Sequence, residues 1–440
     1  MNTNDPSAQA VPAGNETLLD GLQCAAFEYF RHEANPDNGL VADSTRPGSP
    51  ASIGATGFAL TLYPVGVERG FMPRAEAVAR TLAALRHLWH APQGPEPDAT
   101  GHRGFFYHFL DMERGRRALE CELSTIDTAF LLAGALLAGR YFQGDDADEC
   151  EIRRLADALY RRADWQWAQN GGCALATAWT PEQGFAHNRW YGYSEALILY
   201  VLGLGSPTHP LPPNSYAVWT TRYDWREAYG YGLLYAGPLF IHQFSHLWID
   251  FRQIQDAYMR TKGIDYFENS RRATCAQRDY ALQNPHGFRN YGEHCWGITA
   301  SDGPDRTCEV AGHERRFFGY LARGAPFGPD DGTLAPWAAA ASLPFAPEIV
   351  LPTLHYLSGL HGGAAVAYGF TGSFNPTVPD PAHPEIGWLS PWHLGINQGP
   401  IVIMAENYRS GLVWRLMRGC PYVVKGLRRA GFGGSWLGRD

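Results

Sequence analysis

The chain has 440 residues, 45% of them apolar and 18% charged, a balance that supports a folded core and excludes disorder throughout. A formal net charge of −8 argues against nucleic acid or an anionic membrane surface as the main partner. Lysine occurs only as Lys262 and Lys425, which leaves few candidates for Schiff-base chemistry and no phosphate-binding Gly-Lys loop. The 14 Trp, 22 Tyr and 22 Phe are many rings for this length. Rings of this kind wall pockets for ligands with apolar faces and polar rims, sugars among them. The eight cysteines include no Cys-x-x-Cys pair, so they read as buried thiols.

Residues 1–16 read as a disordered arm without an apolar signal region, so the chain as written is expected in the cytoplasm, or in the periplasm if a leader has been trimmed. Periodicity predicts helices over 17–33, 52–69 and 74–90, then a proline-rich loop over 91–101 and a short extended segment over 104–110. Helices follow over 122–142 and 146–167, in the stretch that opens at Trp190 and runs as a helix to about 204, and over 240–259, 264–283, 347–360 and 399–418. Residues 284–343 are dominated by Gly, Pro and Asp and predict long loops. Roughly ten to twelve helices with few strand signals predict an all-α fold. No linker divides the composition, so residues 17–440 read as one domain. A closed ring of paired helices, an (α/α)6 toroid framing a central cleft, fits this pattern. No apolar run reaches membrane-spanning length, and neither cofactor nor metal is expected.

Candidate chemistry gathers in a few stretches. In Trp190-Tyr191-Gly192-Tyr193-Ser194-Glu195 an aromatic and glycine run meets an apolar helical segment. Rings such as Tyr191 and Tyr193 would raise the pKa of Glu195 by desolvation, as a general acid requires. If Ser194 caps the helix, Glu195 lies in the first turn and the helix dipole lowers that pKa instead. Asp127 opens an almost wholly apolar helix, where an acid must be paired, protonated or facing a cavity. His242, His246 and Asp250 share one face of the predicted 240–259 helix. Their span of about 12 Å is too long for one zinc, so a polar stripe facing a cleft is the better reading. A loop pair offers Glu293, Trp296 and Asp302 as carboxylates and a stacking ring, and Asn397, Gln398 and Pro400 lead into the last long helix. Elbow motifs of serine hydrolases and dinucleotide-binding glycine patterns are absent, which leaves carboxylate chemistry on a polyol.

Several stretches, in order, resemble the glycoamylase-like family of bacterial β-1,2-glucanases and the related domain of cyclic β-1,2-glucan synthases. They are Ile53-Gly54-Ala55-Thr56-Gly57-Phe58, Gly104-Phe105-Phe106-Tyr107-His108-Phe109, Glu122-Leu123-Ser124-Thr125-Ile126-Asp127-Thr128, Gly192-Tyr193-Ser194-Glu195-Ala196, His246-Leu247-Trp248-Ile249-Asp250-Phe251-Arg252 and Asn397-Gln398-Gly399-Pro400. The resemblance covers about residues 20–420. It implies the (α/α)6 toroid, a β-1,2-glucan substrate and Glu195 as general acid. Asn397 departs from the glucanase pattern, where an aspartate implicated in activating water is common. The second acid then falls to Asp127, Asp250 or Glu293. Three functions follow as expectations: hydrolysis of linear or cyclic β-1,2-glucan, retaining transglycosylation with Glu195 and Glu293 as the pair, or glucan binding without catalysis. Tyr191, Tyr193, His242, His246, Trp296, Asp302, Asn397 and Gln398 are the expected substrate contacts. Oligomeric state is not legible.

Overall fold

The structure, a computed structural model, describes residues 13–310, 312–361 and 367–438. It is mostly helical. In chain order the helices are α1 (Ala13–His32), α2 (Ile53–Arg69), α3 (Arg74–His90), α4 (Thr125–Tyr141), α5 (Ala147–Arg162), α6 (Trp165–Gln169), α7 (Leu197–Gly205) and α8 (Asn214–Thr220). There follow α9 (Ala257–Lys262), α10 (Tyr266–Gln283), α11 (Pro336–Ala341), α12 (Pro347–Leu360), α13 (Gly395–Arg409), α14 (Leu412–Arg418) and α15 (Pro421–Arg429).

The first helix begins within the stretch expected to be disordered, of which residues 1–12 lie outside the described residues. The guanidinium of Arg409 on α13 explains the early start, since it binds Glu16 at 2.6 Å and Asp20 at 2.7 Å on the first turns of α1. The expected 146–167 helix breaks after Arg162, because Asp164 turns its side chain onto the N–H of Trp167 and caps a new helix. The last long helix likewise ends at Arg409, and Gly411, at φ 66°, turns the chain into α14.

The larger departure is at 240–259. Two 3-10 turns, Leu239–His242 and Phe244–Leu247, replace the expected helix, so His242, His246 and Asp250 do not share a helix face. Polar side chains take over the backbone here: the Arg252 N–H donates to Asp250 Oδ1, and Ser245 Oγ donates to the Glu195 carbonyl. The first bond is local and competes with helical ones, and the second commits Ser245 to a distant segment.

The extended segment expected over 104–110 holds the strands Phe105–Tyr107 and Phe109–Leu110, and further short strands lie where none was expected. Gly101–His102, Phe105–Tyr107, Leu123–Ser124, Ala178–Thr180 and Gly184–Phe185 form one antiparallel sheet in that order, with Phe106 opposite Ser124. Within the expected loop region 284–343, Arg306–Val310 pairs with His313–Phe317 as a hairpin. One hydrophobic cluster runs from Leu19 to Leu437. Within it α2 packs on α4 and α13, and α4 packs on α7, which brings the N-terminal ends of four helices toward one cavity. No helix among the described residues is long and apolar enough to cross a membrane.

Candidate active site

A cavity of about 900 Å³ opens at these helix starts, a size suited to a ligand of a few rings. Its lining includes Ser52 at the N-cap of α2, Ser124, Ile126 and Asp127 at the start of α4, Glu195 just before α7, and Leu394 and Ile396 at the start of α13. Trp190, Phe240, Phe244, Tyr320 and Trp392 supply rings, and Asp43, Glu122 and Asp302 add carboxylates.

Glu195 lies ahead of the helix rather than in its first turn. The N-cap of α7 is Ala196, which makes no side-chain cap bond. Ser245 substitutes for the cap from another segment. Its hydroxyl accepts from the Ile198 N–H at 3.0 Å and donates to the Glu195 carbonyl at 3.0 Å, fixing the carboxylate-bearing residue to the core. With the dipole influence reduced, desolvation prevails. Burial first, and the charge of Asp127 with it, push the Glu195 carboxyl up to about 7, against an opposing bond from its own backbone.

Asp127 lies on the first turn of α4. Ser124 accepts from the Asp127 N–H at 3.2 Å and donates to Asp127 Oδ2 at 2.5 Å. Room for this carboxylate comes from Gly54 on α2: a Cβ there would lie 2.6 Å from Asp127 Oδ1. His108, between two short strands, places Nε2 3.7 Å from Asp127 Oδ2 and Nδ1 2.9 Å from Glu122 Oε1. Asp43 is raised to about 6, by burial first, with Asp127 and Asp302 adding to it and His108 and Arg46 opposing.

The structure therefore gathers Glu195, Asp127 and Asp302 at one cavity, and Asn397 lines a smaller one beside it, of about 120 Å³, that shares Asp302 and Tyr320. The remaining expected residues lie elsewhere. Asp250 is buried in ion pairs with Arg252 and Arg418, and Glu293 is exposed near His294. Glu293 is thus not placed to pair with Glu195. His242 is buried against the Ala236 carbonyl and Asn269, and His246 against Ser270, Phe251 and Phe345. Burial holds both imidazoles low, at about 4 and about 3. Trp296 is a core ring whose N–H donates to Thr353 Oγ1 at 2.9 Å, and Gln398 donates to the Phe370 carbonyl at 2.7 Å. Tyr193 packs into His242, Tyr223 and Tyr266 behind the cavity, and Tyr191 lies under the Arg222 guanidinium. Asp43, Trp190, Tyr320, Trp392 and Ser245 had no assigned role in the sequence. Asp43 and Tyr320 lie in irregular segments without periodicity, and only the nearness of Trp190 to Glu195 was a usable signal.

Fold and site together define a helical protein with an aromatic-walled, carboxylate-lined cleft of oligosaccharide size. The Glycoamylase family model ("Putative glucoamylase") matches residues 187–421. This chain belongs to that family. It is 31% identical over 96% of its length to an exo β-1,2-glucooligosaccharide sophorohydrolase of Parabacteroides distasonis, and spans 59% of that protein. A crystal structure of a "putative glucoamylase" from Bacteroides uniformis superposes with a TM-score of 0.85 at 32% identity, covering 97% of this chain and 100% of that one. The endo-β-1,2-glucanase from Chitinophaga pinensis, in complex with sophorotriose and glucose, superposes with a TM-score of 0.83 at 28% identity, covering 97% and 100%.

Proposed function

We propose that this protein is a glycoside hydrolase of β-1,2-linked glucose oligosaccharides, built as an (α/α)6 toroid with the cleft at its inner helix ends. The observation that carries this reading is Glu195, a half-buried carboxyl poised at about 7 in an acid-lined cavity of about 900 Å³. A carboxylic acid that keeps its proton near neutrality can deliver it to the glycosidic oxygen as that bond breaks. Asp127 is the carboxylate whose charge acts on Glu195, and it takes the second role, activating the attacking water. It is held at the start of α4 by the Ser124 hydroxyl, which donates to its Oδ2 at 2.5 Å. Trp190 and Trp392 offer ring faces for glucose units, and the Trp190 N–H is anchored to Thr125 Oγ1 at 3.0 Å. Asn397 can orient a hydroxyl or water beside Asp302 but cannot take a proton. The β-1,2-linked substrates of the relatives from P. distasonis and C. pinensis support the choice of linkage.

A pH–rate profile on β-1,2-glucooligosaccharides tests the acid. Activity should fall on the alkaline side with an apparent pKa near 7, as Glu195 loses its proton. A plateau extending to pH 9 would contradict this assignment.

A further inference from the structure

Among the described residues, the lining of the cavity contains five carboxyl groups, Asp43, Glu122, Asp127, Glu195 and Asp302, and two basic side chains, Arg46 and His108. Acids crowded in this way share protons, and those beside a fixed cation stay ionised. His108 is built into that place. Its N–H donates to the Glu122 carbonyl at 2.9 Å and its carbonyl accepts from the Ile53 N–H at 3.1 Å, so strand and helix start hold its backbone from both sides. Its ring stacks on Phe109, with centroids 4.0 Å apart. Each ring nitrogen then faces a carboxylate, Glu122 at 2.9 Å and Asp127 at 3.7 Å. The contact with Glu122 is a hydrogen bond, and the longer one with Asp127 is an ion pair that the ring makes only when charged.

We infer that His108, gripped by Glu122, is the positioning residue that keeps Asp127 ionised and thereby decides which acid of the cleft carries the proton. The inference rests on the proposed pairing of Asp127 with Glu195. The charges facing His108 are Glu122, Asp127 at the start of α4, and Asp43 from the loop before α2. Burial opposes the charge on the ring, but Asp127, Glu122 and Asp43 outweigh it and lift the imidazole to about 9. Burial likewise pushes Glu122 up, yet His108 and Arg117 draw it below its usual range. Further out, Arg46 and Asp302 act on Asp43, and Glu195 faces Asp127. Without the cation, Asp127 is left among like charges and competes with Glu195 for the proton.

His108→Gln and Glu122→Gln, alone and combined, test this through two readouts. The first is the pH dependence of kcat/KM on β-1,2-glucooligosaccharides. In His108→Gln the acid limb should move up by about 1–3 pH units, with the rate recovering at higher pH and KM little changed. Glu122→Gln should move it in the same direction by less, and the double variant no further than His108→Gln alone. The second readout is an NMR titration of the His108 ring, assigned by its absence in His108→Gln. The ring should titrate well above 6.5 in the wild type and fall in Glu122→Gln and in Asp127→Asn. Loss of turnover in His108→Gln at every pH would make His108 a proton carrier itself, and a uniform drop without movement of the limb would make it merely structural. Either result overturns the inference. If the wild type cleaves no glucan, the proposed function fails on its own, while a ring titrating near 6.5 still overturns the pairing.

Discussion

Glu195 has the pKa of an acid because of its burial, and the helix begins only two residues after it. Had α7 started at Ser194, the dipole would have favoured the carboxylate; instead burial prevails and the group titrates at about 7 against 4.5 for a free side chain. A raised carboxyl favours the fold while protonated. That contribution is complete below about 4.5 and is lost as pH rises through about 7, costing on the order of 3 kcal/mol once the group is fully ionised. Glu195→Gln should therefore match the wild type in urea unfolding near pH 4 and exceed it by about 1–3 kcal/mol at pH 8. A gap that does not widen with pH would show that Glu195 is not desolvated. Gly54 makes the complementary case for Asp127. Its substitution to Ala puts a methyl group 2.6 Å from Asp127 Oδ1 and forces the carboxylate aside. Turnover should drop by about 10²-fold with the circular dichroism spectrum unchanged, because a displacement of an ångström at the reacting groups is enough.

Elements with strong local signals were legible in the sequence, and those shaped by distant partners were not. The bounds of α2, α3 and α4 lie within a few residues of the periodic pattern, and Ser52 and Ser124, expected inside two of these helices, cap them instead. Residues 240–259 have an equally apolar pattern but form 3-10 turns, since Ser245 and Gln243 are committed to other segments: Ser245 to Glu195 and Ile198, Gln243 to Ala338 and Ser342. No periodicity announces a hydroxyl that caps a helix 47 residues away. Ser245→Ala should cost about 1–3 kcal/mol through the buried Ile198 N–H left without an acceptor. It should also lower kcat more than it changes KM, because the backbone of Glu195 loses its tether. Equal kcat in the variant and the wild type would limit Ser245 to a packing role.

Across the whole molecule the cleft is assembled from both halves of the chain. Asp43, His108, Glu122 and Asp127 precede the segment matched by the family model, residues 187–421, whereas Glu195, Asp302 and Tyr320 lie within it. The core cluster from Leu19 to Leu437 ties the two together. Of the acids, Asp127, Glu195 and Asp302 could be picked out from their sequence surroundings. Asp43 could not, because it lies in an irregular segment without periodicity, held by bonds that include those to Pro50 and Gly395. Asp250 and Glu293 were misplaced for the converse reason: a carboxylate in a motif looks the same in sequence whether it meets an arginine, solvent or a cleft. The central claim is that Glu195 protonates a β-1,2-glucosidic oxygen. The most direct measurement follows new reducing ends by ¹H NMR when β-1,2-glucooligosaccharides are mixed with the wild type and with Glu195→Gln. The wild type should cleave them and the variant should be slower by about 10²–10⁴-fold while still binding. Undiminished turnover by Glu195→Gln, or intact oligosaccharide after prolonged incubation with the wild type, would contradict it.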